Sequence, residues 1–198
     1  MEKIKKQRSF YKTKLYESGQ LLNGNTIALM KNFMNSYSWS RFTQRININA
    51  PIQTLHNAFA TCGGMQSWFL RLSEYKREGD LLVDYEIIKE GDTYTWLWFG
   101  HPDIVTETGE ILLANDKNEL KFTFGKAGNV SVKIYEKNNE NIVELTQDNI
   151  PVDEEGKTNW HLGCSTGWAF YLANLKSIMQ GGIDLRNKNA SLTGMLNA

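Results

Sequence analysis

Apolar and polar residues alternate in several short segments of this chain, as they do in strands that bury one face. In Arg41–Asn49, every second residue (Phe42, Gln44, Ile46 and Ile48) would lie on the same face. Short connections rich in Gly, Asn, Asp and Lys join most of the later segments, and they favour hairpins and hence antiparallel neighbours. Six further strands are predicted: Leu81–Lys89, Tyr94–Phe99, Val105–Ala114, Glu119–Phe124, Asn129–Glu136 and Ile142–Asn149.

Helical spacing of apolar residues appears after the first strand and again near the C-terminus. Pro51 suits the start of a short helix, which Thr61–Gly64 would break before a second short helix over Met65–Leu70. A long helix is predicted over Asn159–Gln180, with Thr158 or Asn159 as its cap and a glycine pair after its end. Its apolar stripe consists of Cys164, Trp168, Tyr171, Leu172, Leu175, Ile178 and Met179.

The length of 198 residues suits a single α+β domain with an appendage. Residues 1–38 show little periodicity and are interpreted as an N-terminal extension, either loose or with one short helix over Asn25–Met34. The domain is predicted over residues 39–187, and residues 188–198 are interpreted as a C-terminal tail.

The charge balance and the cysteine content argue against some classes of function. The 22 basic and 22 acidic side chains balance, so the surplus of Lys and Arg on which nucleic-acid binding rests is missing. No apolar run approaches the ~20 residues that cross a bilayer. Cys62 and Cys164 fit no metal-binding spacing and are interpreted as free thiols of a reducing compartment, which predicts a cytoplasmic protein. No metal or other cofactor is expected.

Several short motifs lie on the predicted elements in a characteristic order, ending with Gly167 and Trp168 of the long helix. The others are Ile48–Ile52, Met65–Phe69, Gly109–Leu112 and Val143–Gln147. In order and spacing this set resembles the START-like, helix-grip superfamily (SRPBCC, or Bet v 1-like), in the branch similar to the C-terminal domain of the activator of the heat-shock-protein-ninety ATPase. The resemblance covers roughly residues 41–187.

The resemblance implies a curved antiparallel sheet of about seven strands, wrapped around the long C-terminal helix, with a cavity between them and two short helices after the first strand. The superfamily includes lipid carriers, hormone receptors, aromatic cyclases and co-chaperones, so the fold implies no single activity. Many relatives carry His after the Leu-Thr of the last strand. Here Gln147 stands in its place, which removes a titrating group from that position.

An aromatic cluster can be interpreted either as plain core or as the lining of a pocket for an apolar ligand. We place the candidate pocket between the sheet and the N-terminal half of the long helix, where Gly163, Cys164 and Gly167 leave room, with Trp68 and Phe69 as a lid. The leading hypothesis is non-enzymatic binding of a small apolar, aromatic or lipid-like ligand. Its candidate residues are Trp68, Phe69, Tyr94, Trp96, Trp98, Phe122, Phe124, Gly167, Trp168 and Tyr171.

Two alternatives stay open. A co-chaperone-like adaptor, with a chaperone as its partner, would need an exposed apolar patch. A polyketide-cyclase-like enzyme would work chiefly by shaping a substrate in its cavity, and His161 with Tyr171 would form its site. For His161, a helix-capping or exposed role is the simpler interpretation, and for Cys164 a buried, inert thiol.

Overall fold

Eight antiparallel strands form one curved sheet in the order β1-β8-β7-β6-β5-β4-β2-β3. The computed structural model describes residues 37–192, 194 and 195, so the helix predicted over 25–34 lies outside the described residues. The elements are β1 Phe42–Asn47, α1 Ile52–Ala60, α2 Cys62–Trp68, β2 Leu72–Arg77, β3 Asp80–Leu81, β4 Thr93–Leu97, β5 Glu107–Ala114, β6 Glu119–Thr123, a 3₁₀ turn Gly125–Ala127, β7 Asn129–Lys137, β8 Glu140–Asp148, a π-helical segment Gly156–Gly163 and α3 Cys164–Met179.

The predicted fold class is confirmed, with eight strands where about seven were expected. Five of the six later strand predictions match a strand to within two residues at either end. The hairpin between β7 and β8 shows why this part was readable: Asn138 and Asn139 have φ of 54° and 61°, and two left-handed residues form the turn that fits the twist of paired strands.

The prediction of a strand over Leu81–Lys89 is wrong apart from its first residue, and β2 was missed. In β2 only Ser73 and Tyr75 are buried, so its apolar alternation is too weak to detect. Beyond Leu81, the chain instead bonds to the ends of the two short helices, through Asp84 O to Gly63 N and Ile88 N to Ala60 O. These two backbone groups find their partners in the helices and not in a neighbouring strand.

A helix break was predicted over Thr61–Gly64. The glycines at 63 and 64 instead lie within α2. Thr61 alone separates α1 from α2, and its hydroxyl accepts a hydrogen bond from Gly64 N at 2.9 Å as the N-cap of α2. Glycine is required at 64 because a Cβ there would lie 2.0 Å from the carbonyl oxygen of Asn57.

The long helix begins earlier than Asn159. The Asp153 carboxylate accepts a hydrogen bond from Gly156 N at 2.7 Å and caps the first turn, whereas the Thr158 hydroxyl donates to Glu154 O at 2.8 Å. The predicted cap at Thr158 or Asn159 is therefore wrong, because an acidic residue upstream already supplies the acceptor. Helical structure then runs without a break to Met179.

The core lies on the concave side of the sheet. There α1 packs against β6 and β7, α2 against β2, and α3 against β1 and α2. The described residues from Trp39 onward form one compact unit. Leu172 and Leu175 of α3 are fully buried in it, as the apolar stripe predicts. Among the described residues, no helix is both long and apolar enough to span a membrane.

Candidate functional site

A pocket of about 490 Å³ lies between the sheet and the first turns of the long helix. The helix contributes residues from the π-helical segment and from the start of α3, and the sheet side contributes residues that directly follow β4 and β6. The lining consists of Phe69, Trp98, His101, Phe124, Asn159, Gly163, Cys164, Gly167, Trp168 and Tyr171.

Aromatic rings form a continuous wall around this pocket. Phe69 stacks on Trp168 with ring centroids 4.8 Å apart and meets Tyr171 edge-on at 4.7 Å. Trp98 closes the circuit, since its ring lies 5.9 Å from Phe69 and 6.5 Å from Phe124, which in turn lies 5.8 Å from Trp168. Such spacings are those of favourable edge-to-face and offset-stacked pairs, so the wall is preformed.

Small residues keep the helix side of the pocket open. A Cβ added to Gly167 would meet no atom within 4 Å, and one at Gly163 would approach only Thr158 O, at 3.7 Å. Both glycines therefore face free space. Gly163 ends the π-helical segment, and π-helical turns are rare and occur frequently at functional sites.

A buried amide fixes the orientation of Trp168. The Gln147 side chain is fully buried on β8. Its Oε1 accepts a hydrogen bond from the Trp168 indole at 2.9 Å, and its Nε2 donates to Ala127 O at 2.8 Å. The amide supplies one acceptor and one donor at fixed positions without carrying charge. Gln147 therefore positions a wall residue of the pocket.

Six of the ten predicted site residues come together in the lining: Phe69, Trp98, Phe124, Gly167, Trp168 and Tyr171. The other four are absent from it. Tyr94, Trp96 and Phe122 are buried in the core behind the pocket, where Tyr94 and Trp96 stack at 3.8 Å.

Trp68 is the fourth, and it is not part of a lid. It is completely buried, and its indole donates to Ala58 O at 2.9 Å. It belongs to the core because α2 turns its ring towards α1, while Phe69, one residue later, faces the pocket.

The pocket contains two polar residues that were not named as candidates, His101 and Asn159. Both are exposed. His101 lies in the connection between β4 and β5, and its only sequence signal is its position three residues after Trp98. Whether a ligand contacts any of the lining residues stays a prediction.

The ionisable groups of the lining favour neutral forms. Burial raises the pKa of the Cys164 thiol, and the negative charge of Glu107 adds to the rise. Burial likewise raises the pKa of Tyr171 to about 12. At neutral pH both groups are protonated, which suits contact with an uncharged molecule.

His161 lies neither at the pocket nor in an exposed or capping position. It is buried, with Nδ1 2.8 Å from Trp39 O and its ring packed against Trp39 and Phe42. It is thus a core histidine, because the π-helical segment turns this side chain towards β1. Within the described part of the chain, no three His, Cys, Asp or Glu side chains are grouped as a metal site.

A buried arginine binds backbone carbonyls on both sides of the pocket residue Phe69 in the sequence. Arg186 follows the long helix, and its guanidinium donates to three carbonyl groups at the end of α2: those of Gln66, Ser67 and Leu70, at 2.8–3.0 Å. It also pairs with Asp184 at 2.6 Å. Burial alone would raise the pKa of Asp184, but hydrogen bonds from Arg186 and Lys188 outweigh it and hold that pKa well below its usual range.

A curved antiparallel sheet closed around one long C-terminal helix defines the helix-grip, START-like class of fold. No family model and no curated protein matches the sequence significantly, but solved structures do. The Aha1 dimer from Colwellia psychrerythraea is 17% identical over 72% of this chain and 97% of that chain, with a TM-score of 0.54.

Two further structures give the same result. Protein SSP2350 from Staphylococcus saprophyticus is 18% identical, with 74% of this chain and 96% of that chain covered and a TM-score of 0.57. CalU16 from Micromonospora echinospora is 17% identical, with 73% and 77% covered and a TM-score of 0.52. The predicted resemblance is thereby confirmed at the level of the fold.

Proposed function

We propose that this protein binds a small apolar molecule, aromatic or lipid-like, in the pocket between the sheet and the start of the long helix. The observation that carries the proposal is the preformed wall of five aromatic side chains around a volume of about 490 Å³. Ligand pockets commonly have volumes of about 300–1,000 Å³ and are mostly apolar with a few polar groups.

The character of the lining supports a neutral ligand with a flat, apolar body. None of the ten lining residues is Lys, Arg, Asp or Glu. Stacked and edge-on rings offer aromatic partners the geometry that they prefer. The exposed His101 and Asn159 lie at the same pocket, where they would offer hydrogen bonds to one polar end of the ligand.

The lining residues support ligand binding without catalysis. A nucleophile needs an adjacent base or a lowered pKa, and the pKa of Cys164 is instead raised. His161, which a cyclase-type site would use, is buried at Trp39 and Phe42. Both cysteines are free, as in a reducing compartment. We therefore propose that this binding protein is cytoplasmic.

The first experiment asks whether the purified protein carries a ligand. Solvent extraction followed by mass spectrometry should recover a small apolar compound. Titration with N-phenyl-1-naphthylamine, an uncharged fluorescent aromatic probe, should show saturable binding at one site per chain.

Two variants separate binding from stability. Trp168→Ala should abolish saturable probe binding because it removes the central ring of the wall. Leu175→Ala, in the closed part of the core, should leave probe affinity unchanged and lower the free energy of unfolding by about 2–5 kcal/mol. A clean extract combined with equal probe binding by both variants would refute the proposal.

An adaptor role is the second candidate, and one observation favours it. Leu81, at the end of β3, and Val83 and Tyr85, in the irregular segment after it, are 59%, 50% and 83% exposed. Exposed apolar side chains are a feature of protein-binding surfaces. The fold is also shared with the Aha1 dimer. Addition of the protein to a heat-shock-protein-ninety ATPase assay tests this role: an unchanged ATPase rate, and no chaperone recovered by pull-down, would remove it.

A further inference from the structure

A carboxylate faces the concave side of the sheet close to the pocket. Glu107 lies directly opposite Trp96 in the register of β5 and β4, and opposite residues of an antiparallel pair point to the same face of the sheet. Because Trp96 is sealed in the core, the Glu107 side chain also points inwards. It is half-buried, whereas the next acidic residue of β5, Glu110, is exposed.

The Glu107 carboxylate lies next to two parts of the pocket wall. A Cβ added to Gly125 would be 2.7 Å from Oε1 and 3.0 Å from Oε2 of Glu107, so the carboxylate rests on the backbone beside the lining residue Phe124. On the helix side, its negative charge raises the pKa of the thiol of Cys164, another lining residue. Glu107 itself is not one of the ten lining residues, so it acts on the pocket through its charge and not through contact.

The charge of this carboxylate is not offset by a neighbouring cation. Burial is the single cause of the raised pKa of Glu107, and no hydrogen bond or positive charge from the described residues lowers it. The positive charge of Arg186 does act on the lining residue Tyr171, where it opposes the rise in pKa. Arg186, however, forms an ion pair with Asp184, and Lys188, which shares that carboxylate, is 53% exposed, where water weakens its field.

A partly buried charge without a partner lowers stability, and perturbed ionisable groups are concentrated at functional sites. Like charges repel more strongly in partly buried surroundings than in water, because the effective dielectric constant is lower. We propose that Glu107 determines the charge selectivity of the pocket: it excludes anionic ligands, such as fatty acids and other carboxylates, and admits uncharged ones. The inference rests on the proposed binding function and narrows its class of ligand.

The lining alone would not make this distinction. Its exposed polar residues, His101 and Asn159, carry an imidazole and an amide, which can each donate as well as accept a hydrogen bond. They would therefore receive a hydroxyl group or a carboxylate equally well. The repulsion from Glu107, on the side of Cys164, supplies the discrimination between the two.

Two fluorescent probes with the same skeleton test this inference. N-Phenyl-1-naphthylamine is uncharged, and 8-anilinonaphthalene-1-sulfonate is the same molecule with one added sulfonate. The titrations are made at about pH 8, well above the ordinary carboxyl range, and at low ionic strength, where screening is weakest. Glu107→Gln should strengthen binding of the sulfonate about tenfold and leave the affinity for the uncharged probe within about twofold of the wild-type value.

Glu110→Gln is the matched control, because it removes the same charge from the same strand but at an exposed position. It should change neither affinity. If the ratio of the two affinities shifts equally in both variants, or in neither, the inference is refuted while the proposed binding function stands. Failure of the wild type to bind the uncharged probe would instead refute the binding function itself.

Alkylation of Cys164 tests the charge effect without a bound ligand. Iodoacetate is anionic and iodoacetamide is neutral, and peptide mass spectrometry separates Cys164 from Cys62. Because both reagents attack the same thiolate, the ratio of their rates is independent of the thiol pKa and reports the charge near the pocket. The rate ratio of iodoacetate to iodoacetamide should rise about threefold in Glu107→Gln and stay constant in Glu110→Gln. An unchanged ratio in Glu107→Gln would overturn the inference.

Discussion

Arg186 offers a sharp test of how this structure holds together, because one side chain fastens the C-terminal segment to the end of α2. The side chain is only 3% exposed, and its guanidinium bonds to three carbonyl groups as well as to Asp184. It also covers the ring of Phe99, with Cζ 5.3 Å from the ring centroid. A positive charge at these carbonyls additionally complements the dipole at the helix C-terminus.

Arg186→Ala should lower the free energy of unfolding by about 3–5 kcal/mol, the usual cost of removing one partner of a buried ion pair. Arg186→Lys keeps the charge but cannot reproduce the planar fork of donors. We therefore expect an intermediate loss of about 1.5–3 kcal/mol, equivalent to one hydrogen bond of a charged group.

Urea unfolding followed by tryptophan fluorescence measures these changes, and an unchanged m-value would show that the unfolded state is unaffected. Lys188→Ala is the control, because Lys188 pairs with the same Asp184 but is 53% exposed, and surface pairs contribute about 0–1 kcal/mol. A loss of less than about 1 kcal/mol in Arg186→Ala, or equal losses in the two alanine variants, would refute the role assigned to this arginine.

Three further predictions concern protonation. The lowered pKa of Asp184 contributes stability above the unfolded value of about 3.9 that is lost as pH falls through the folded value; Asp184→Asn should therefore be less stable than wild type at pH 7, and the gap should narrow below about pH 4 in urea titrations at several pH values. Burial raises the pKa of Glu107, so its ionisation opposes folding as pH rises through the unfolded and then the folded value; Glu107→Gln should be more stable than wild type at pH 7 but not at pH 3, and a constant difference would contradict this assignment. In Gln147→His, a neutral imidazole can accept the Trp168 indole bond and a protonated one cannot, so probe binding should weaken as pH falls through the imidazole pKa, which burial at this position places below about 6.5, whereas the wild type should show no such step.

Much of the architecture followed from local patterns. The strands β6 to β8 alternate clearly, and β7 and β8 are separated by the turn residues Asn138 and Asn139, whose left-handed backbone Asn accepts readily. The long helix was predicted from an apolar stripe that includes the buried Leu172 and Leu175. In these elements the side chains that define the period are also the side chains that the core buries.

The secondary-structure predictions fail where hydrogen-bond partners distant in sequence determine the conformation. β2 pairs with β4 although its buried face carries only Ser73 and Tyr75, and the chain after Leu81 bonds to α1 and α2 instead of extending a strand. A window of neighbouring residues contains neither partner. The start of the long helix was misjudged for a smaller reason, namely that Asp153 is a better-placed acceptor than either residue proposed.

For the site, the sequence by itself determined which residue types were available: small residues on one turn of the helix and aromatic residues on the strands opposite. It could not determine which rings face the pocket. Trp96 and Trp98 lie on the same face of one segment, yet Trp96 is sealed in the core and Trp98 lines the pocket. Adjacent Trp68 and Phe69 divide in the same way. Only the tertiary structure decided which rings face the pocket. The reason is that the way the helix crosses the strands sets how deep each ring lies beneath the sheet. The same crossing brings the Gln147 amide to the Trp168 indole, which it orients.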